Sequence, residues 1–125
     1  MQLSNKDKQI LEHIAKYCYE VKLAMNAYGN NRNTFLSNPV YRNACSMPIM
    51  QIGELAKKLT PEFCHDTPHI PWQEIKGMRN LFAHDYHSMN LDMIWTTASK
   101  NIPELSNEIH YILNRENILE TSRRN

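Results

Sequence analysis

The chain has 125 residues, with fourteen Lys and Arg against thirteen Asp and Glu and a net charge of +1. That length supports one domain with its own core, and the charge balance excludes the strongly basic signature of a general nucleic-acid coat while leaving room for a local basic site. Few glycines argue against a sheet, no apolar run approaches membrane-spanning length, and the polar start MQLSNKDKQI carries no secretory signal; the expectation is a cytoplasmic, all-α protein.

Ser4 followed by Asp7 reads as a capping box with Asp in place of the usual Glu. Leu3, Ile10, Ile14, Tyr17, Val21 and Ala24 then recur at helical spacing, and Gly29-Asn30 ends the first helix, predicted over 4–28. A second helical region starts near Thr34 or at Asn38-Pro39, a cap followed by a first-turn proline. Its predicted core stripe is Val40, Ala44, Met47, Met50 and Leu55, with a kink or break at Pro48 and a stop at Thr60-Pro61. Residues 61–71 read as a proline-rich connector, and Pro71 suits the start of a third helix carrying Trp72, Ile75, Met78 and Phe82.

The segment His87-Ser88-Met89-Asn90 interrupts that pattern, and Asn90 caps a fourth helix with Asp92 in its first turn. The stripe Leu91, Ile94, Trp95, Ala98, Ile102, Leu105, Ile109 and Ile112 stays in phase across Pro103, which predicts one kinked helix or two abutting ones. Residues 1–120 therefore form a single helical domain, a four- to five-helix up-and-down bundle, and 121–125 a frayed tail. Cys18, Cys45 and Cys64 form no spaced framework and read as reduced, buried thiols. Cys64, His65 and His69 lack zinc-like spacing, so no metal and no cofactor is expected; Lys57-Lys58 and Arg123-Arg124 read as solvated charge pairs.

Arg79-Asn80-Leu81-Phe82-Ala83-His84-Asp85-Tyr86 carries most of the chemistry. Arg79 falls four residues after Ile75 and three before Phe82, on an apolar face where an unpaired charge would be costly. Two readings stay open for it: a core arginine paired to a carboxylate such as Glu54 or Asp85, or a cleft arginine whose planar fork takes phosphate. His84, five residues on, points about 140° away on a regular helix. It converges with Arg79 on one ligand only if the helix ends there or two copies of the motif face each other. Asn80 adds a neutral donor and acceptor beside Arg79.

The R-x-x-x-x-H-x-Y pattern of Arg79, His84 and Tyr86 resembles the signature of the HEPN superfamily, in its HepT-like toxin branch. Ile49-x-x-Ile52-Gly53-Glu54-Leu55-Ala56-Lys57 is similar to the second-helix segment of that branch. Ile70-Pro71-Trp72-x-x-Ile75-x-Gly77-Met78-Arg79-Asn80-x-x-x-His84-Asp85-Tyr86 is similar to its central motif, and Trp95 with Ile102-Pro103-Glu104-Leu105 to its last helices. After the tyrosine, His87-Ser88-Met89-Asn90 stands where the branch commonly has a small acidic or Gly-containing loop.

The resemblance implies a helical bundle that homodimerises and brings two Arg/His motifs into one cleft. It implies a metal-independent endoribonuclease acting on RNA such as tRNA, with Arg79 and His84 catalytic and Asn80 and Asp85 supporting. It also implies a cognate nucleotidyltransferase antitoxin that adds AMP to Tyr86. The alternative is a non-catalytic accessory subunit that presents nucleotide or substrate to a nucleotidyltransferase.

Overall fold

The computed structural model describes residues 3–84 and 90–124, and these are helical with no strand among them. Four long helices, α1 (Asn5–Tyr28), α3 (Pro39–Ala56), α5 (Trp72–His84) and α7 (Ile102–Arg124), form the bundle. The short helices α2 (Arg32–Ser37), α4 (Pro61–Asp66) and α6 (Leu91–Thr96) are its joints. In space α1 packs between α3 and α7, and α3 packs between α1 and α5, which gives the order α7–α1–α3–α5. No described helix is long and apolar enough to cross a membrane.

Local chemistry explains where the helices start. Ser4 Oγ accepts from the Asp7 N–H at 3.1 Å, as the capping reading expects. Asp7 does not complete the box. Its carboxylate turns inward, is buried, and accepts from the Thr60 N–H at 3.0 Å and the Thr60 hydroxyl at 2.6 Å. Thr60 Oγ1 in turn accepts from the Phe63 N–H at 3.3 Å, so a satisfied buried carboxylate ties the start of α1 to the start of α4. Thr60-Pro61 therefore opens a helix inside the supposed connector rather than only closing the previous one. The proline loses nothing at a first-turn position, whose N–H has no helical partner.

α2 starts on Asn31, whose side chain accepts from the Thr34 N–H at 3.1 Å. α3 starts on Asn38, which accepts from Val40 N–H at 2.9 Å and Tyr41 N–H at 3.2 Å. Pro48 is accommodated without a break. The predicted stripe of α3 is out by one residue. Val40 and Met47 are 58% and 62% exposed, whereas Tyr41, Cys45, Ile49, Ile52 and Ala56 are buried. Tyr41 decides this. Its ring lies edge-on to Phe35 at 4.9 Å and stacks on Tyr28 at 5.2 Å, and seating that large ring inside turns the helix by about one residue, or 100°.

α5 follows Pro71, with Trp72, Ile75 and Phe82 buried as expected. The Trp72 indole N–H donates to Thr67 Oγ1 at 2.9 Å, and the Thr67 hydroxyl donates to the Phe63 carbonyl at 2.9 Å. Asn90 caps α6 by accepting from the Asp92 N–H at 2.8 Å, and Asp92 pairs with Arg32 to join α6 to α2. Between α6 and α7 lies a π-helical turn, Thr97–Asn101, in which the Ile102 N–H reaches back five residues to the Thr97 carbonyl. That widening immediately precedes Pro103, which has no N–H to offer, so the stripe Ile94, Ala98, Ile102, Leu105, Ile109 runs through unbroken. α7 stays helical through Arg124, taking in the residues 121–124 read from sequence as tail.

Candidate active site

The site is built on the seam between α3 and α5. Gly53 faces α5 so closely that a Cβ there would lie 2.8 Å from the Arg79 nitrogen, 3.0 Å from the Ile75 carbonyl oxygen and 3.1 Å from Arg79 Cβ. Only glycine permits this approach, and it sets the main chain of Arg79 directly against α3. The next residue supplies the charge. Glu54 Oε1 lies 3.4 Å from Arg79 Nε, and Arg79 Nη1 donates to Asn80 Oδ1 at 3.4 Å.

The Arg79 side chain is 34% exposed and that of Glu54 41%, so the pair sits at the margin of the core. This corrects the placement of Arg79 on the apolar face. Ile75 and Phe82 take the interior of α5, and the guanidinium emerges beside them at the α3 edge, where both ions keep water contact. The carboxylate pairing read from sequence is realised with Glu54, and an ion pair this open adds at most about 1 kcal/mol to stability. Its chief consequence is orientation of the guanidinium.

His84 is the last described residue of α5, five positions and about 7.5 Å of helix rise beyond Arg79. Asp85 and Tyr86, with His87, lie outside the described residues. The structure thus brings together Arg79, Asn80 and Glu54 from the two sides of the seam. Glu54 was named in the sequence only as one possible partner, and Gly53 only within a family segment. Their signal is a glycine at a core-facing position in mid-helix followed at once by an acid.

Other chemistry is muted. Burial pushes the Cys18 and Cys45 thiols up to about 12 and raises that of Cys64, so these free cysteines are poor nucleophiles. Among the described residues no three His, Cys, Asp or Glu side chains gather as a cation site. A groove of about 660 Å³ lies between α1 and α7, lined by no residue of α3 or α5 and floored by Cys18, Val21, Met25 and Ile102.

The family model for HepT-like ribonucleases matches residues 8–112. A protein provisionally named as an RNase in Caldanaerobacter subterraneus subsp. tengcongensis is 37% identical over 106 residues, covering 85% of this chain and 93% of that one. Another provisionally named RNase, from Methanocaldococcus jannaschii, is 33% identical over 79 residues, 63% of this chain and 68% of its own. A protein provisionally named ribonuclease HepT, from Thermococcus cleftensis, is 35% identical over 54 residues, 43% of this chain and 49% of its own. No solved structure shows significant similarity.

Proposed function

The chain belongs to the HepT-like ribonuclease family, and from that premise we propose that it is the toxin of a type VII-like toxin–antitoxin pair, a metal-independent endoribonuclease that cuts RNA, tRNA foremost, in the cytoplasm. The observation that carries this reading is the oriented Arg79 on the α3–α5 seam, five residues before His84 on the same helix.

The chemistry needs no group beyond these side chains. The ribose 2′-oxygen attacks the neighbouring phosphorus as a base removes its proton. The bond to the 5′-oxygen breaks as an acid protonates it, leaving a 2′,3′-cyclic phosphate and a free 5′-hydroxyl. His84 is suited to one of the two proton transfers near neutral pH. Arg79 stabilises the extra negative charge of the phosphorane-like transition state, and Asn80 and Asp85 orient the imidazole or the ribose. A homodimer supplies the second motif and removes the need for Arg79 and His84 to converge within one subunit. The exposed Val40 and Met47 support that assembly, because they recur at seven-residue spacing on the face of α3 that carries Glu54.

The cognate nucleotidyltransferase silences the toxin by transferring AMP from ATP to the Tyr86 hydroxyl, the phenol oxygen bonding the α-phosphorus as pyrophosphate leaves and its proton is lost, which places a bulky anion where the RNA phosphate must sit. Intact-mass analysis after co-expression with that partner should show AMP increments that disappear in Tyr86→Phe; increments that persist place the modification elsewhere.

The decisive experiment incubates total tRNA with the protein in EDTA, comparing wild type with Arg79→Ala and His84→Ala. Cleavage by wild type with cyclic phosphate ends, falling about 10²–10³-fold in Arg79→Ala, establishes the reading. An inactive wild type turns the assignment to the accessory-subunit alternative, in which the same bundle presents nucleotide to its partner and cuts nothing.

A further inference from the structure

We infer that Glu54 is a positioning residue, and that Gly53-Glu54 together aim the Arg79 guanidinium at the scissile phosphate; the inference rests on the RNA-cleavage reading above. An arginine at a half-exposed helical position samples many rotamers, and a transition state is stabilised only by donors already in place. Two features of α3 remove that freedom here. Gly53 brings the backbones together, since any Cβ would come within 2.8 Å of the Arg79 nitrogen, and this fixes where the side chain begins. Glu54 Oε1 then lies 3.4 Å from Nε as an ion pair, while Asn80 Oδ1 accepts from Nη1, so charge on one side and a hydrogen bond on another bias the guanidinium.

The charge of Glu54 gives this role a signature. A carboxylate beside Arg79 offsets part of its positive charge and does nothing to attract a phosphate. Its removal therefore leaves RNA binding unchanged or tighter while loosening the geometry needed in the transition state. A residue that merely held α3 to α5 would lower stability and leave turnover of the folded protein intact. A residue that took the proton itself would remove one limb of the pH–rate profile.

The test uses the full-length protein with Glu54→Gln and Glu54→Asp. Nitrogen-15-edited NMR follows solvent exchange of the Arg79 Nε–H, its signal assigned by its loss in Arg79→Lys, and steady-state cleavage of a short RNA follows kcat and KM. The expected result is faster Nε–H exchange in Glu54→Gln, kcat lower by about tenfold with KM equal or reduced, an unchanged pH profile, and partial recovery in Glu54→Asp. Unaltered exchange with wild-type kcat overturns the inference, as does a lost pH limb, which would make Glu54 the base. If wild type cleaves no RNA, the functional reading fails by itself; the exchange measurement then decides the pairing alone, and protection lost in Glu54→Gln upholds Glu54 as the residue that orients Arg79.

Discussion

Two junctions of long helices in this bundle are built on opposite principles. At the α3–α5 seam, Gly53 lets the backbones touch, and the polar groups that matter, Glu54, Arg79 and Asn80, line its outer edge. At the α1–α7 junction the helices stand apart beside the π turn, and a groove of about 660 Å³ remains, walled by Cys18, Val21, Met25, Ala98 and Ile102. Both seal the core beneath them, since Ile52 on the first and Ile102 on the second are buried. The difference lies in what is held rigid. Close backbone approach at Gly53 fixes where the neighbouring side chains begin, which suits chemistry; a junction held apart by side chains tolerates shape change.

The largest effect that probes this contrast is at the glycines. Ala in place of Gly normally favours a helix by about 0.5–1 kcal/mol. At Gly77, where an added Cβ meets nothing within 4 Å, Gly77→Ala should gain that amount. At Gly53 the new methyl would press on the α5 backbone, so Gly53→Ala should instead cost about 1–3 kcal/mol and slow RNA cleavage as Arg79 shifts. Urea denaturation of both variants checks the pair, and a stabilised, fully active Gly53→Ala would refute the idea that close approach sets the site.

A smaller effect compares equal deletions at the two junctions. Removing one methylene from Ile52, fully buried on α3 next to Gly53, leaves a void with little room to relax, whereas Ile102 borders the groove, whose wall can follow the loss. Ile52→Val should cost about 1.5 kcal/mol and Ile102→Val about 0.5, the two ends of the usual range. Equal costs would mean that the groove wall is as rigid as the seam.

Much of this was legible in the residues because it is local. Ser4, Asn38 and Asn90 announce helix starts through side chains that bond within three positions, and the stripes of α1, α5 and α6–α7 follow from spacing, except that Leu91, which heads the last of them, is exposed in the first turn of α6. The face of α3 was misread by one residue, because Tyr41 wins its interior place through Tyr28 and Phe35 on other helices. α4 was hidden because Thr60-Pro61 stops one helix and starts another with the same chemistry, and Asp7, which settles the matter, lies 53 positions away. At the site, Arg79 and Asn80 could be picked out by type and position. Glu54 could be named only as one of two possible partners of Arg79, and the role of Gly53 not at all, since both are decided by the register of α3 against α5.

The smallest effect asks how tightly the groove floor is closed. Cys18 lies in that floor and Cys45 in the bundle interior, and burial raises both thiols from the ordinary 9.0 to about 12. A pKa raised in the folded state means that folding favours the protonated thiol. The stabilisation is complete below the unfolded value near 9 and is lost as pH rises toward 12. Between pH 8 and 9.5 each thiol should therefore remove about 0.8 kcal/mol of unfolding free energy. Urea titrations across that window should show the decline reduced by one such share in Cys18→Ala and by one in Cys45→Ala. If only Cys45→Ala flattens the decline, water reaches Cys18 from the groove, and the α1–α7 junction is open to its floor in a way that the α3–α5 seam, closed backbone to backbone, cannot be.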